Sequence, residues 1–459
     1  MSIPRLITRL EQVYVVFRGL IHSLDIPFFD SINMSSTLKQ QIFDQLNALV
    51  LIDPHTHINP LSPASKSLAD IMGYHYYTEL VHSAGMSQEL IENPELSPRQ
   101  RVDQLVKGIG NIDNTVQFSW LIEAAKELFD LEIDRLDESN WEKLFDAASA
   151  KMSQPNWEDE VLRRSKLEAV FLTNDFDDSL EGFDTRRYIP CLRTDDLVFH
   201  LSKPQVQDRL QSCSSISLGH LADLRNAIEQ RFQHFTERGA KACAISLPPW
   251  FTPQPISDGD AEKAFSTLLT LGESTPQEDR DLMAYWVFWE LAENCRKFKL
   301  PFDLMIGVNR RVYPAGVFQG QDLYDSRVSL IQYRELFNTF KDVKFPISVL
   351  ASVTNQELVS YSWIFPNVIC HGHWWYSNTP AYISHDLAAR MEAVPRNKVI
   401  GYYSDMYKLE FALPKFAMFK RCLADVLANQ FVIARGWSET RAIELGKQVL
   451  RGNVETIFG

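Results

Sequence analysis

The sequence predicts an α/β fold, a (β/α)8 barrel with a helical insertion between its first and second strands. Three observations predict it. Eight short runs rich in apolar and β-branched residues recur along the chain. Most are separated by stretches with helical periodicity. Several end on polar residues, at the position where a barrel builds its active site. An open doubly wound sheet is the competing architecture, but no G-x-G-x-x-G follows an early strand.

The elements follow in order. Residues 1–48 form an N-terminal segment, and its opening "MSIPRLITRLEQVYVVFRGLIHSLD" reads as an amphipathic helix docked on the body. Residues 49–64 hold the first strand, "LVLIDPHTH", and its loop. Residues 65–165 contain helical patterns and no strand pattern, as in "SPRQRVDQLVKGIG" and "ESNWEKLFDAASAKM". This run is the expected insertion, folded over the barrel mouth. Residues 166–459 carry the other seven strands: "LEAVFLTND", "RYIPCLR", "KACAISLP", "PFDLMIGV", "FPISVLAS", "NVICHGH" and "KVIGYYSD". Helical stretches such as "DLRNAIEQRFQHFTERG" end near glycine or basic residues, as helix C-termini tend to. The span 252–282, dense in Pro, Ser, Asp and Gly, reads as a long loop before a helix.

Bulk composition narrows the function. The chain has 459 residues, 45% hydrophobic and 23% charged, enough for a large core. Its net charge is −13, and no basic run suits a nucleic-acid partner. The six cysteines form no C-x-x-C and suggest no disulfide framework. No stretch approaches the ~18 apolar residues of a membrane span. With no signal-peptide pattern, the expected compartment is the reducing cytoplasm. Whether the chain forms a homo-oligomer stays open.

Chemistry gathers at the strand ends. Side chains alternate along a strand, so His55 and His57 share a face and converge on one point. Two neutral imidazoles in that relation suit Zn²⁺ or a similar divalent metal. An H-x-H by itself equally suits solvated loop histidines. Asp405 ends the eighth strand, which closes a barrel against the first, where it would complete a His-His-Asp set; by itself it equally suits a cap of the next turn. No lysine ends the fourth strand, which argues for one ion rather than a carbamate-bridged pair.

These residues also carry a resemblance. "DPHTH" followed by "GYHYYTELVHSAGM" resembles the opening of the uronate (glucuronate) isomerases, in the metal-dependent amidohydrolase superfamily. That family has an H-x-H strand, then G-D-H-Y-K-W-R ending in S-A-G. "IPCLRTDDLV" is similar to its proline-x-x-arginine strand, "LMIGVNRR" to its L-H-I-G strand, and "HGHWWYSN" to its G-W-W-F motif. "GYYSDMY" and the tail "GNVETIFG" match its last strand and ending, so the resemblance spans most of the chain from residue 50.

The resemblance implies a metal-assisted aldose–ketose isomerisation of a small sugar acid. It implies His55, His57 and Asp405 as ligands of one divalent metal, Asp405 also being catalytic. It implies His75 and Tyr76 as catalytic residues beside the substrate, with Arg193, Arg310 and Trp374 binding it. Two other functions stay open: a metal-dependent hydrolase of an amide, ester or lactone, and a non-catalytic homologue.

The departures bear on substrate. Met305 stands for the histidine of L-H-I-G, Tyr77 and Glu79 for basic residues, and Tyr407 for an arginine. The family's aspartate-histidine step is not visible in "ACAISLPPW". Weak turnover of ordinary hexuronates is therefore expected. His371 and His373 replace two glycines and share a face. One expectation is that they face the barrel mouth, as substrate contacts, a further metal ligand or a general acid–base. The other is that they stack against Trp374 and Trp375 or bond to loop backbone.

Overall fold

The computed structural model describes residues 27–459, with side chains from residue 36 onward. The helix expected in the first 25 residues lies outside the described residues. A helix does precede the first strand, Pro27–Asn47, and it packs on helices Ala412–Val426 and Glu439–Lys447.

All eight expected strands are present and parallel. The first is Leu51–Asp53. The second is Leu167–Phe171, continued by Asn174–Asp175. The third, Tyr188–Ile189 and Cys191–Arg193, is interrupted at Pro190, which has no N–H to offer a ladder. The remaining five are Ala242–Leu247, Phe302–Ile306, Phe345–Val349, Val368–His371 and Val399–Ile400. Each pairs in parallel with its neighbours in sequence order.

The last strand returns to the first just beyond the ladders. Asp405 N donates to His55 O at 3.2 Å and His57 N donates to Met406 O at 2.8 Å. Asp53 ties the same seam from the side, its Oδ1 accepting from Ser404 N at 3.0 Å. The sheet thus comes round as a (β/α)8 barrel.

The inner face is stratified. Phe171, Cys191, Ala242, Ile369, Ile400 and Phe458 form an apolar layer inside the barrel. Met305, Val308, Leu350, Trp374 and Tyr403 form a second cluster, and Met305 and Trp374 line the mouth. Gly372 is held at φ 54°, where a side chain would run into the Tyr403 ring.

Between the first two strands the chain is helical. Pro98–Ile109 starts with Pro at its first turn, after Ser97, whose hydroxyl accepts from Gln100 N. Helix His75–Ser83 reaches the barrel mouth, whereas Val116–Phe129 packs beside the barrel on Ala412–Val426.

The expected loop at 252–282 is mostly helical, made of Asp258–Leu271 and the start of Gln277–Phe298. The Ser-Asp-Gly-Asp start of the first looks like a turn, but Ser257 caps the helix by accepting from Asp260 N at 3.2 Å. Ala261, Ala264, Phe265 and Leu268 then bury one face at helical spacing. After the fifth strand a small antiparallel pair, Val308–Asn309 with Leu323–Tyr324, frames the segment that carries Arg310, Gln319 and Asp322.

Candidate metal centre and its cavity

The centre starts from the alternation in "HTH". The Thr56 hydroxyl donates to Phe171 O on the second strand at 2.7 Å. The two flanking imidazoles point the other way, towards the last strand. His55 Nε2 and His57 Nε2 lie 3.6 and 3.2 Å from Asp405 Oδ1. One donor atom from each of the three residues lies within 4.8 Å of the others.

These residues fit a divalent cation. His55 Nε2 and Asp405 Oδ1 are buried and have no hydrogen-bond partner among the described residues. Buried polar atoms are rarely left so, and here the two face each other. The far side of each ring is provided for. Thr173 Oγ1 gives its proton to Thr56 O at 3.2 Å, so it accepts from His57 Nδ1 at 2.8 Å. Behind His55, Nδ1 faces Asp303 Oδ2 at 3.5 Å. Protons on both Nδ1 atoms leave both Nε2 lone pairs for an ion.

Asp405 sits in the left-handed region at φ 54°, which aspartate tolerates better than most residues. Tyr74 O–H donates to its carbonyl at 2.9 Å, and Tyr76 O–H to its Oδ2 at 3.2 Å. The buried Lys415 ammonium anchors the preceding residue, donating to Ser404 O at 2.8 Å beneath the rings of Tyr74, Tyr76 and Trp120.

The electrostatics follow from burial set against charge. Burial pushes the Asp405 carboxyl up, but the close His57 imidazole, with His55 and Lys415 nearby, pulls it down to about 2. Asp303 behaves alike: burial raises it, while His371 and His55 hold it at about 2. Burial lowers His57, and it lowers His75 to about 3, so His75 is a neutral imidazole. For His55, burial is outweighed by Asp303 and the other nearby carboxylates, and its value rises.

A cavity of about 160 Å³ opens over the three residues. Among the residues expected at the site, His55, His57, Asp405, His75, Tyr76, Arg193, Arg310 and Trp374 all line it. Both arginines are already engaged. Arg193 Nε donates to Asp195 Oδ2 at 3.1 Å. Arg310 donates to Asp322 Oδ2 at 2.6 Å and to Ser246 Oγ at 3.0 Å. Trp375 also lines the wall, and its indole N–H points to Glu79 Oε1 at 3.4 Å.

His371 and His373 do not line the cavity, nor do they stack on the tryptophans. His371 points into the barrel, where its Nδ1 meets Asp303 Oδ1 at 3.1 Å. His373 is buried with its ring 6.0 Å from that of Phe419. The expected shared face is not kept: the strand ends at His371, and Gly372 at φ 54° breaks the alternation, so His371 faces the barrel interior and His373 faces Phe419 of helix Ala412–Val426. Met305 lines the cavity where the expected family pattern has histidine.

Sequence reasoning missed Thr173, Asp303, Gln319 and Lys415. Tyr407, which the sequence marks only as standing in place of an arginine, stacks on His57 with ring centroids 4.7 Å apart. Asp303 had a visible signal: an acid in the middle of the fully apolar run "PFDLMIGV".

The glucuronate isomerase family profile matches residues 29–449. A uronate isomerase from Nostoc punctiforme is 22% identical over 433 residues, covering 87% of this chain and 90% of that protein. The solved uronate isomerase of Thermotoga maritima superposes with a TM-score of 0.85 at 19% identity, over 92% of this chain and 97% of its own. The glucuronate isomerase of Caulobacter crescentus gives 0.84 at 18% identity, over 92% and 94%. At these identities the structural likenesses speak for the fold.

Proposed function

The chain belongs to the glucuronate isomerase family, and from that premise we propose that it is a metal-dependent isomerase interconverting the aldose and ketose forms of a small sugar acid. The observation that carries the reading is the convergence of His55 Nε2, His57 Nε2 and Asp405 Oδ1 beside a neutral imidazole and a phenol. Two imidazoles and one carboxylate suit Zn²⁺, which these three residues would hold. Such an ion polarises a substrate carbonyl or hydroxyl oxygen when bound.

The chain's own groups supply the rest. Isomerisation moves a proton between neighbouring carbons and between their oxygens. Asp405 divides its oxygens: Oδ1 faces the imidazoles, and Oδ2 accepts the Tyr76 proton. Tyr76 and Asp405 therefore form a couple that can pass a proton to and from a substrate oxygen. His75, neutral and with a buried Nδ1 lacking a partner among the described residues, is the second group placed to accept one. The N–H groups of Arg193 and Arg310 not taken by Asp195 and Asp322 orient the sugar's oxygens. Trp374, Trp375 and Tyr407 wall the cavity from water.

A small sugar acid is the expected partner. Among the described residues no helix is long and apolar enough to cross a membrane. Cysteines that are all free suit a cytoplasmic setting.

The test is to incubate Zn²⁺-loaded protein with a panel of aldehydic sugar acids in D2O. Ketose formation with deuterium on the carbon next to the carbonyl is expected. Hydrolysis of an ester or lactone without any ketose product would overturn the reading.

A further inference from the structure

Asp303 lies one strand repeat below Met305, on the same inward face of the fifth strand. Met305 lines the cavity, so Asp303 is in the layer beneath the metal centre. That strand is otherwise Phe, Leu, Met and Ile, and all five of its residues are buried. A carboxylate placed there needs partners, because a charge taken out of water is costly unless it is paired and hydrogen-bonded. Among the described residues its ion-pair partners are two imidazoles. Oδ1 meets His371 Nδ1 at 3.1 Å from the seventh strand, and Oδ2 faces His55 Nδ1 at 3.5 Å from the first.

We propose that Asp303 and His371 are positioning residues for His55, forming a buried His55–Asp303–His371 brace across the barrel. The inference rests on the metal-centre reading given above. The carboxylate takes an N–H from each ring, so both its oxygens are used. The proton on His55 is thereby kept on Nδ1, and Nε2 presents its lone pair towards Asp405 Oδ1, 3.6 Å away. A carboxylate behind a ligand histidine fixes ring orientation and raises its basicity.

His371 holds the carboxylate from the opposite side. Its ring is confined by Tyr403 and Phe458, with centroids 4.8 and 5.8 Å away, and it has no exposed surface. The extra histidine of the seventh strand thus serves the site from below, through Asp303, without touching substrate. A structural ion pair would look similar, but it would act on stability alone. A brace for a ligand acts on the ion.

The test uses metal-free protein titrated with Zn²⁺ against a chromophoric chelator, and with Co²⁺ followed by its visible spectrum. Asp303→Asn keeps the volume and removes the charge. It is expected to bind Zn²⁺ roughly 10- to 100-fold more weakly and to shift the Co²⁺ bands, with native circular dichroism. His371→Gln leaves Asp303 facing His55 and is expected to give a smaller loss in the same direction. Wild-type affinity and an unchanged Co²⁺ spectrum in Asp303→Asn overturn the brace. Should that variant not fold, the same two results in His371→Gln overturn it. A wild-type chain that binds neither ion removes the metal centre, and the brace with it.

Discussion

The two imidazoles of the first strand differ in what stands behind them. His57 has the neutral Thr173 hydroxyl, and His55 has the Asp303 carboxylate. Thr173→Val keeps the shape and removes the acceptor. It should weaken Zn²⁺ binding by roughly 10- to 100-fold, as chelator competition would measure. An unchanged affinity would mean the Thr173 contact does not hold the ring. Tyr407 bears on substrate, since it stacks on His57 where an arginine was expected. Arg193 and Arg310 already carry aspartate partners, so little free positive charge faces a carboxylate. Turnover of glucuronate and galacturonate should therefore be slow. Tyr407→Arg should raise kcat/KM for them by about ten- to a hundredfold, the value of one charge-assisted hydrogen bond of about 1.5–3 kcal/mol. Fast turnover by the native chain would sink this expectation.

At the scale of elements, helix His75–Ser83 brings two site residues from its first turn and Glu79 from its second. Burial raises Glu79 to about 8, in spite of the Trp375 hydrogen bond. Between about 4.5 and 8 the folded chain therefore keeps a proton that the unfolded chain has released. Stability contributed by this group is lost as pH rises through that window. Glu79→Gln imitates the protonated form. It should leave Tm nearly unchanged at pH 4.5 and raise it at pH 8.5, as thermal melts at the two pH values would show. A uniform shift at both would contradict the assigned titration. The same helix explains how a residue of the insertion meets the last strand, since Tyr76 reaches Asp405 from it.

At the scale of the molecule, the centre lies on the closing seam. Asp405 comes from one end of the barrel sequence and His55 and His57 from the other, and backbone bonds join them directly. A cation bound there ties the seam, so it should stabilise the whole fold. At a free concentration 100 times its dissociation constant the gain is about 2.7 kcal/mol. Chelation should lower Tm by a few degrees and abolish ketose formation, and added Zn²⁺ should restore both. A melt indifferent to chelator in protein known to carry the ion would contradict this.

Whatever depends on local alternation can be read along one segment of the chain. Eight apolar runs marked eight strands, and H-x-H put His55 and His57 on one face because the strand period is two. Asp405 was legible because closure sets the eighth strand beside the first. The tertiary structure decided what lies across strands. The alternation predicted one face for His371 and His373, but the left-handed Gly372 between them parts the two, His371 onto Asp303 inside the barrel and His373 against Phe419 of helix Ala412–Val426. It also decided that Thr173 backs His57, that Asp195 and Asp322 engage the two arginines, and that Ser257 starts a helix where the composition read as loop. Each of these is a contact between segments or a choice between two local hydrogen-bonding patterns. Side-chain periodicity along one segment carries no information about the neighbour it will meet, and that is supplied only when the sheet closes.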